Sequence, residues 1–251
     1  ADGRGYWIVA GRFLDTSPMG GFAQIANGRE RWDANHSVPR HRHDQAYAAI
    51  VLSGSYEECG SRGRFRVAAG DVLMHGAFDA HLNRFQNAGA KILNLIVHAP
   101  RFSIGHVDDP DAIARAAEHD SVEAAALLRA QMVESNSSLD DWPDILAVDL
   151  LNNPDCRLDD WSRRHNLAAE TISRGFGKVF GVTPASFRAE VRARRAYAMV
   201  ADSAMPLAAI AAKAGFSDQA HMSRAIRSLT GAPPGDWRGS NSFKTVRPKA
   251  A

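Results

Sequence analysis

The chain has 251 residues, 45% of them hydrophobic and 23% charged, the proportions of a globular protein large enough for one big domain or two ordinary ones. No apolar run approaches the ~18 residues of a membrane span, and the opening stretch ADGRGYWIVAGRF lacks the basic head and apolar core of a secretory signal. Two cysteines set far apart, Cys59 and Cys156, make no disulfide framework, so neither a helical membrane span nor a disulfide-stapled domain is expected, and a cytoplasmic location is.

The net charge of +2 conceals a division. Residues 1–156 carry 14 Lys plus Arg against 21 Asp plus Glu, net −7, whereas residues 157–251 carry 16 against 7, net +9. The second part is an electrostatic footprint for a polyanion, which the first part repels.

From Tyr6 to about Val107, short runs rich in Val, Ile, Leu, Phe and Tyr are punctuated by glycine, as in AYAAIVLSGSYEE, RFRVAAGDVLMHG and KILNLIVHAP. This pattern predicts an antiparallel barrel or sandwich. Seven of the ten histidines lie between residues 36 and 106. His41 and His43 fall on one face of a strand, and His81 follows the strand-like GDVLM. Three neutral imidazoles converging there can hold Zn, Fe, Mn or Ni, or can serve as structural or effector-binding histidines; His75 is a further candidate ligand. Trp32, Tyr47, Phe65 and Phe85 read as barrel core or as the apolar lining of a small-molecule site.

Beyond residue 108 the period becomes helical. Pro110 opens DAIARAAEHD, and Asp120 with Glu123 forms a capping-box-like start for SVEAAALLRAQMVE. The Ala and Leu stripe that includes Ala117, Leu127, Leu128 and Met132 fits either packing within the chain or a contact between two copies. SNSSLDD, Ser135 to Asp141, reads as a linker; Asp141 can cap WPDILAVDLL, which Asn153-Pro154 stops. Helices are expected from Asp155 to Arg238, then a frayed basic tail over 241–251.

Within the helical part, TISRGFGKVFGVTP (Thr171–Pro184) returns fifty residues later as HMSRAIRSLTGAPP (His221–Pro234). Each copy follows a short helix and a tight turn, with Asn166 in the first where Gly215 stands in the second, so the chain carries two helix, turn, helix patterns. Leu167, Ile172, Phe176 and Val179 form one apolar face; Phe216, Met222, Ile226 and Leu229 form the other. The opposite faces carry Glu170, Thr171, Ser173, Arg174 and Lys178 in the first copy and Gln219, His221, Ser223, Arg224 and Arg227 in the second. Arg can bond guanine, and Gln adenine, through two parallel hydrogen bonds. The intervening 19 residues, if helical, span ~28 Å, which suits two reading helices about one DNA turn, ~34 Å, apart. Arg188, Arg192, Arg194 and Arg195 on that spacer are expected to clamp phosphates or to be solvated.

Residues 157–238, and PLAAIAAKAGFSDQAHMSRAIRSLTGAPPGDWR above all, closely resemble the two-unit DNA-binding domain of AraC/XylS-type bacterial transcriptional regulators. The resemblance implies base contacts at Arg174 and Arg224, positions Glu170 and Ala220 also near bases, a homodimer formed through the helices that follow the barrel, double-stranded operator DNA as partner, and RNA polymerase as a possible further one. The front part is similar to the cupin fold, with His41, His43, Gly54, Gly70 and His81 at matching spacing. There the carboxylate of a metal-binding cupin would fall on Tyr47 or Ala48, and Gly76 and Phe78 stand where the family has proline and glycine. An α+β multidomain chain is therefore expected: a cupin-like sensor domain over 1–108 with an effector at His41, His43, Tyr47 and His81, a helical dimerisation segment over 109–140, and a double helix-turn-helix domain over 141–240. A metal-dependent cupin enzyme or metal sensor, with the ion on His41, His43 and His81, is the alternative.

Overall fold

The computed structural model describes residues 7–8, 21–87, 89–97, 103–135, 139–153 and 155–239. The expected tail lies outside them, as do residues 136–138 of the expected linker. Strands β1 (Trp7–Ile8), β2 (Gly21–Phe22), β3 (Gly28–Trp32), β4 (His36–Arg42), β5 (Tyr47–Gly60), β6 (Gly63–Ala68), β7 (Asp71–His75), β8 (Ala80–Phe85), β9 (Ala90–Ile96) and β10 (Ser103–His106) come first. Helices α1 (Pro110–Ala117) and α2 (Ser121–Gln131), strand β11 (Val133–Glu134) and helix α3 (Trp142–Asn152) follow. Helices α4 (Leu158–Arg164), α5 (Ala169–Phe180), α6 (Pro184–Asp202), α7 (Leu207–Lys213) and α8 (Gln219–Thr230) complete the described chain with a 3-10 turn at Pro234–Trp237.

The front half is an antiparallel sheet domain, as the alternating runs predict, apart from the two-residue parallel pairings of β1 with β3 and β2 with β4. Its organising element is β5. Tyr47–Ile50 pairs with β7 and β9, whereas Glu57–Cys59 pairs with β8. Between these stretches the register shifts and the strand bends at Gly54, whose φ of 79° belongs to glycine. A Cβ there would lie on the Gly89 carbonyl oxygen, so no other residue fits.

Strand alternation then assigns three surfaces. Inward residues Val38, Tyr47, Ala49, Val51, Tyr56, Phe65, Val67, Leu73, Phe85 and Ile92 form the core between the sheets. Ala48, Ile50, Val72, Leu93 and Leu95 face outward and are covered by Ile113, Ala114, Ala124, Ala125 and Leu128 of α1 and α2. The Ala and Leu stripe is thus packed inside the chain, which is what lets β5 be buried on both faces. Asp109 and Asp120 cap the two helices, the latter accepting from the Val122 and Glu123 amides. The second helix ends at Gln131, short of the expected Glu134, because Val133 and Glu134 pair with β10 instead.

The third surface is the outer face of β4, β8 and the second half of β5, and it packs on the helical half. Cys59 and Leu82 share one apolar cluster with Leu146, Leu150, Trp161, Ile172, Phe176, Phe180 and Phe187. Arg40 Nη2 meets Glu190 Oε2 of α6 at 2.6 Å, with both side chains about 5% exposed or less. Arg84 donates to the Lys178 and Val179 carbonyls at 2.7 and 2.8 Å and Arg40 to the Phe180 carbonyl at 3.4 Å, all at the C-terminus of α5; Arg42 donates to the Ser228 carbonyl of α8 at 3.0 Å. A cation at the negative end of a helix is the favourable placement. The loop between β7 and β8 adds Phe78, fully buried at a φ of 60° against Tyr197 and Trp237, and Asp79, which binds Ser61 and Arg194. Phe78 thereby has a reason to stand where a cupin has glycine.

The sheet domain and the helices from residue 141 onward therefore pack directly against each other. Asp141 begins α3 without capping it, because Arg64 holds its carboxylate together with that of Asp144. Since removing one partner of a buried ion pair strands the other, Glu190→Ala should lower the stability by about 3–5 kcal/mol in urea unfolding, while the double change Arg40→Met, Glu190→Leu should recover most of the loss.

Candidate functional site

Both repeated segments fold as helix, turn, helix. In the first, α4 is followed by Asn166 in the left-handed region, φ 50°; in the second, α7 is followed by Gly215, φ 78°. The asparagine and the glycine make the same turn, as expected. Asp218 caps α8 by accepting from the His221 amide at 2.7 Å, and both α5 and α8 are 12 residues long and end at a left-handed glycine, Gly181 and Gly231.

The apolar faces point inward. Ile172, Phe176 and Phe180 of α5 and Met222, Ile226 and Leu229 of α8 are buried. Thr230 joins its hydroxyl to the Ile226 and Ala232 carbonyls and receives the Trp237 indole N–H at 2.9 Å. On the other side Glu170, Thr171, Ser173, Arg174 and Lys178 are exposed on α5, as are Gln219, Ala220, His221, Arg224 and Arg227 on α8, with Ser223 half-buried. The structure thus leaves the expected reading residues at the surface of two equivalent helices, and Arg195 is exposed on the spacer α6.

The other spacer arginines depart from expectation. Arg194 reaches Asp79 at 2.5 Å, Arg192 pairs with Asp155, and Arg188 donates to the Cys156 carbonyl at 3.2 Å, so these cations hold the chain together instead of facing a duplex or solvent. Sequence spacing could not reveal this, because the partners lie as far as 115 positions away. Gly175 is explained by close approach of a helix: a Cβ there would stand 2.5 Å from the Trp142 ring of α3. Nothing in the structure explains Gly177.

Inside the sheet domain His41, His43, Tyr47 and His81 converge as expected, and they line a cavity of about 40 Å³ with Glu30, Trp32, Tyr56, Glu58, Asn83 and Asn94. Phe65 and Phe85 belong to the core. His41 and His81 are directly cross-strand. His41 Nδ1–H donates to the Pro39 carbonyl and His43 Nδ1–H to the Ala23 carbonyl, each at 2.8 Å, which puts both lone pairs on Nε2. The Tyr47 hydroxyl is 3.2 Å from His81 Nε2. One potential ligand atom from each of His41, His43 and His81 lies within 4.8 Å of the others, and the same holds for Glu58, His75 and His81. At Tyr47 and Ala48 there is no carboxylate; the acid that comes near is Glu58 at the far end of β5, grouped with His75 and His81 and not with His41 and His43. Its signal was the alternation Tyr56, Glu58, which sets an acid at an inward position.

Burial makes this cavity hostile to charge. It pulls the His41 pKa down to about 4 and, with neighbouring His41, the His43 pKa down to about 3; His81 is lowered well below the usual value by burial and then by the surrounding imidazoles. Burial also pulls on His75, but the Glu58 and Asp79 carboxylates outweigh it and its pKa is raised. A histidine whose folded pKa is depressed binds its proton more readily unfolded, so its stabilising effect is full above about pH 6.5 and fades as the pH falls toward the folded value. His41, His43 and His81 act in this sense and His75 in the opposite one. The unfolding free energy should therefore fall between about pH 6.5 and pH 4, with a slope of up to about 1.4 kcal/mol per pH unit for each net proton. Urea titrations across that range should show a shallower decline for His43→Gln, and a pH-independent stability would contradict the assignment.

Residues 161–240 match the model of a helix-turn-helix domain. Over 78 residues the chain is 33% identical to the HTH-type transcriptional regulator ExsA of Pseudomonas aeruginosa, covering 31% of this chain and 28% of that one. Over 72 residues it is 31% identical to the arabinose operon regulatory protein of Escherichia coli, covering 29% and 25%. The chain thus spans roughly a quarter of the length of these relatives. Wild-type ToxT from Vibrio cholerae aligns with 85% of this chain and 96% of its own at 10% identity and a TM-score of 0.39, a likeness too slight to fix the topology. No helix among the described residues is long and apolar enough to cross a membrane. Over its matched helical segment the chain is similar to the helix-turn-helix parts of these transcriptional regulators.

Proposed function

We propose that this chain is a cytoplasmic, sequence-specific DNA-binding regulator in which α5 and α8 are the reading helices of two helix-turn-helix units that enter successive major grooves of an operator. The observation that carries this reading is the repetition in space as well as in sequence: two 12-residue helices with the same buried register, the same left-handed C-terminal glycine and an exposed basic face, joined by the 19-residue α6. Arg174 and Arg224 read bases, while Lys178, Arg195 and Arg227 act on phosphates; Thr171, Ser173, Gln219, His221 and Ser223 supply the remaining polar contacts. Glu170 and Ala220 occupy matching positions at the helix starts, where one is acidic and the other has no polar group, so neither adds a guanine contact.

The sheet domain is the sensor. A small-molecule effector enters by widening the cavity at His41, His43, Tyr47 and His81, since about 40 Å³ admits only a few atoms as the pocket stands. It controls DNA binding only to the extent that it prefers one arrangement of the two halves over another. Two copies pair through the α1 and α2 region, where Val122 and Val133 are the most exposed large apolar side chains, and RNA polymerase is the further partner if the regulator activates.

On DNA selected by the protein itself, Arg224→Ala should weaken binding by about 1–3 kcal/mol and relax base preference at one position. Equal losses on selected and random DNA would show that Arg224 does not read bases. Affinity on either DNA should fall steeply with salt, as expected where several cations displace counterions; fluorescence anisotropy at two salt concentrations measures both effects.

A further inference from the structure

Beside His81 stand two groups that the effector reading does not use, Glu58 of the cavity wall and His75, which is not among the lining residues. Glu58 and His75 are each about 1% exposed, and His75 Nε2 stands 3.5 Å from Glu58 Oε2. Glu58 Oε1 and His81 Nδ1 are fully buried and make no hydrogen bond within the described residues. A buried carboxylate oxygen left without a donor is costly, and so is an orphaned imidazole nitrogen. Tyr47 bonds the other nitrogen of His81 and stacks on His75, with ring centroids 4.6 Å apart and 16° between planes, so both imidazoles are held in place.

We propose that Glu58, His75 and His81 bind a divalent transition-metal ion, with His81 presenting Nδ1 while its Nε2–H donates to the Tyr47 hydroxyl. One carboxylate and two imidazoles are a donor set for Zn, Fe(II), Mn or Co. The tyrosine supplies the outer hydrogen bond that orients a ligating histidine. The overlapping set His41, His43 and His81 shares one ligand but contains no carboxylate, so a divalent ion there would have no directly bound counter-charge. Glu58 removes that objection. The cavity, at about 40 Å³, has room for an ion and a water molecule.

The position has a structural consequence. His75 ends β7 and His81 lies near the start of β8, so the two ligands bracket the loop that carries Phe78 and Asp79 into the helical half. An ion bound to both histidines pins both ends of that loop. The metal site itself stands whether or not the chain binds DNA.

The test is a titration of the full chain, stripped with chelator, with Co²⁺ alone, followed by its visible d–d absorption. One equivalent should bind; Glu58→Gln and His75→Ala should weaken binding by about tenfold or more, whereas His41→Ala and His43→Ala should change it by no more than about threefold. Thermal unfolding of each metal-free variant identifies any that does not fold. The wild-type chain decides independently of them: crystals soaked in Zn²⁺ should show an anomalous peak at bonding distance from both Glu58 and His81. Failure to bind stoichiometric cobalt would overturn the proposal. So would loss of binding in His41→Ala and His43→Ala with Glu58→Gln unaffected, which assigns the ion to the three-histidine set.

Discussion

The rest of this molecule depends on the alternation of side chains at the end of strand β4, after a register shift between Val38 and His41 that lets both of those residues face inward. Successive side chains point to opposite faces, so Arg40-His41-Arg42-His43 sends two imidazoles into the sheet domain and two guanidiniums out of it. The imidazoles line the cavity. The guanidiniums meet the helical half, one at Glu190 and the end of α5, the other at the end of α8. One short strand therefore touches the cavity and both proposed reading helices, and no chain of intermediate residues is needed to connect them.

The chemistry of that contact suits a specific alignment more than raw stability. A buried ion pair loses much of its Coulombic gain to desolvation, and its lasting effect is that any arrangement which separates Arg40 from Glu190 leaves a charge stranded. Arginine also imposes direction, because its planar fork must meet carbonyl and carboxylate oxygens at set angles. Arg84 on β8 repeats the device at the end of α5. The spacer α6 fixes the two helix pairs from one side, and the arginine row fixes them from the other. Packed interfaces of this kind switch between discrete arrangements instead of deforming gradually, which is the property a ligand-controlled regulator requires.

Much of this was legible in the sequence, for local reasons. The repeat gave both helix pairs, because a turn needs Asn166 or Gly215 at one place and an apolar register of three and four elsewhere, and those demands leave local traces. Asp120 caps α2 as expected, whereas Asp141 begins α3 without capping it. Strand alternation put His41 and His43 on one face, and the spacing that resembles the cupin fold added His81. What was not legible is long-range. Arg192 and Arg194 carry nothing to distinguish a DNA-facing arginine from one that grips Asp155 or Asp79, because the partner is set by tertiary packing. Glu58 escaped for a related reason: β5 bends at Gly54, and only the bend brings an acid eleven positions after Tyr47 back to the histidines.

The most direct measurement of the central claim is the pattern of bases enriched when the purified chain selects fragments from a random DNA pool. Two reading helices on a 19-residue spacer predict two enriched blocks centred about 10–10.5 base pairs apart on one face of the duplex. A single enriched block, or none above the unselected pool, would contradict the account.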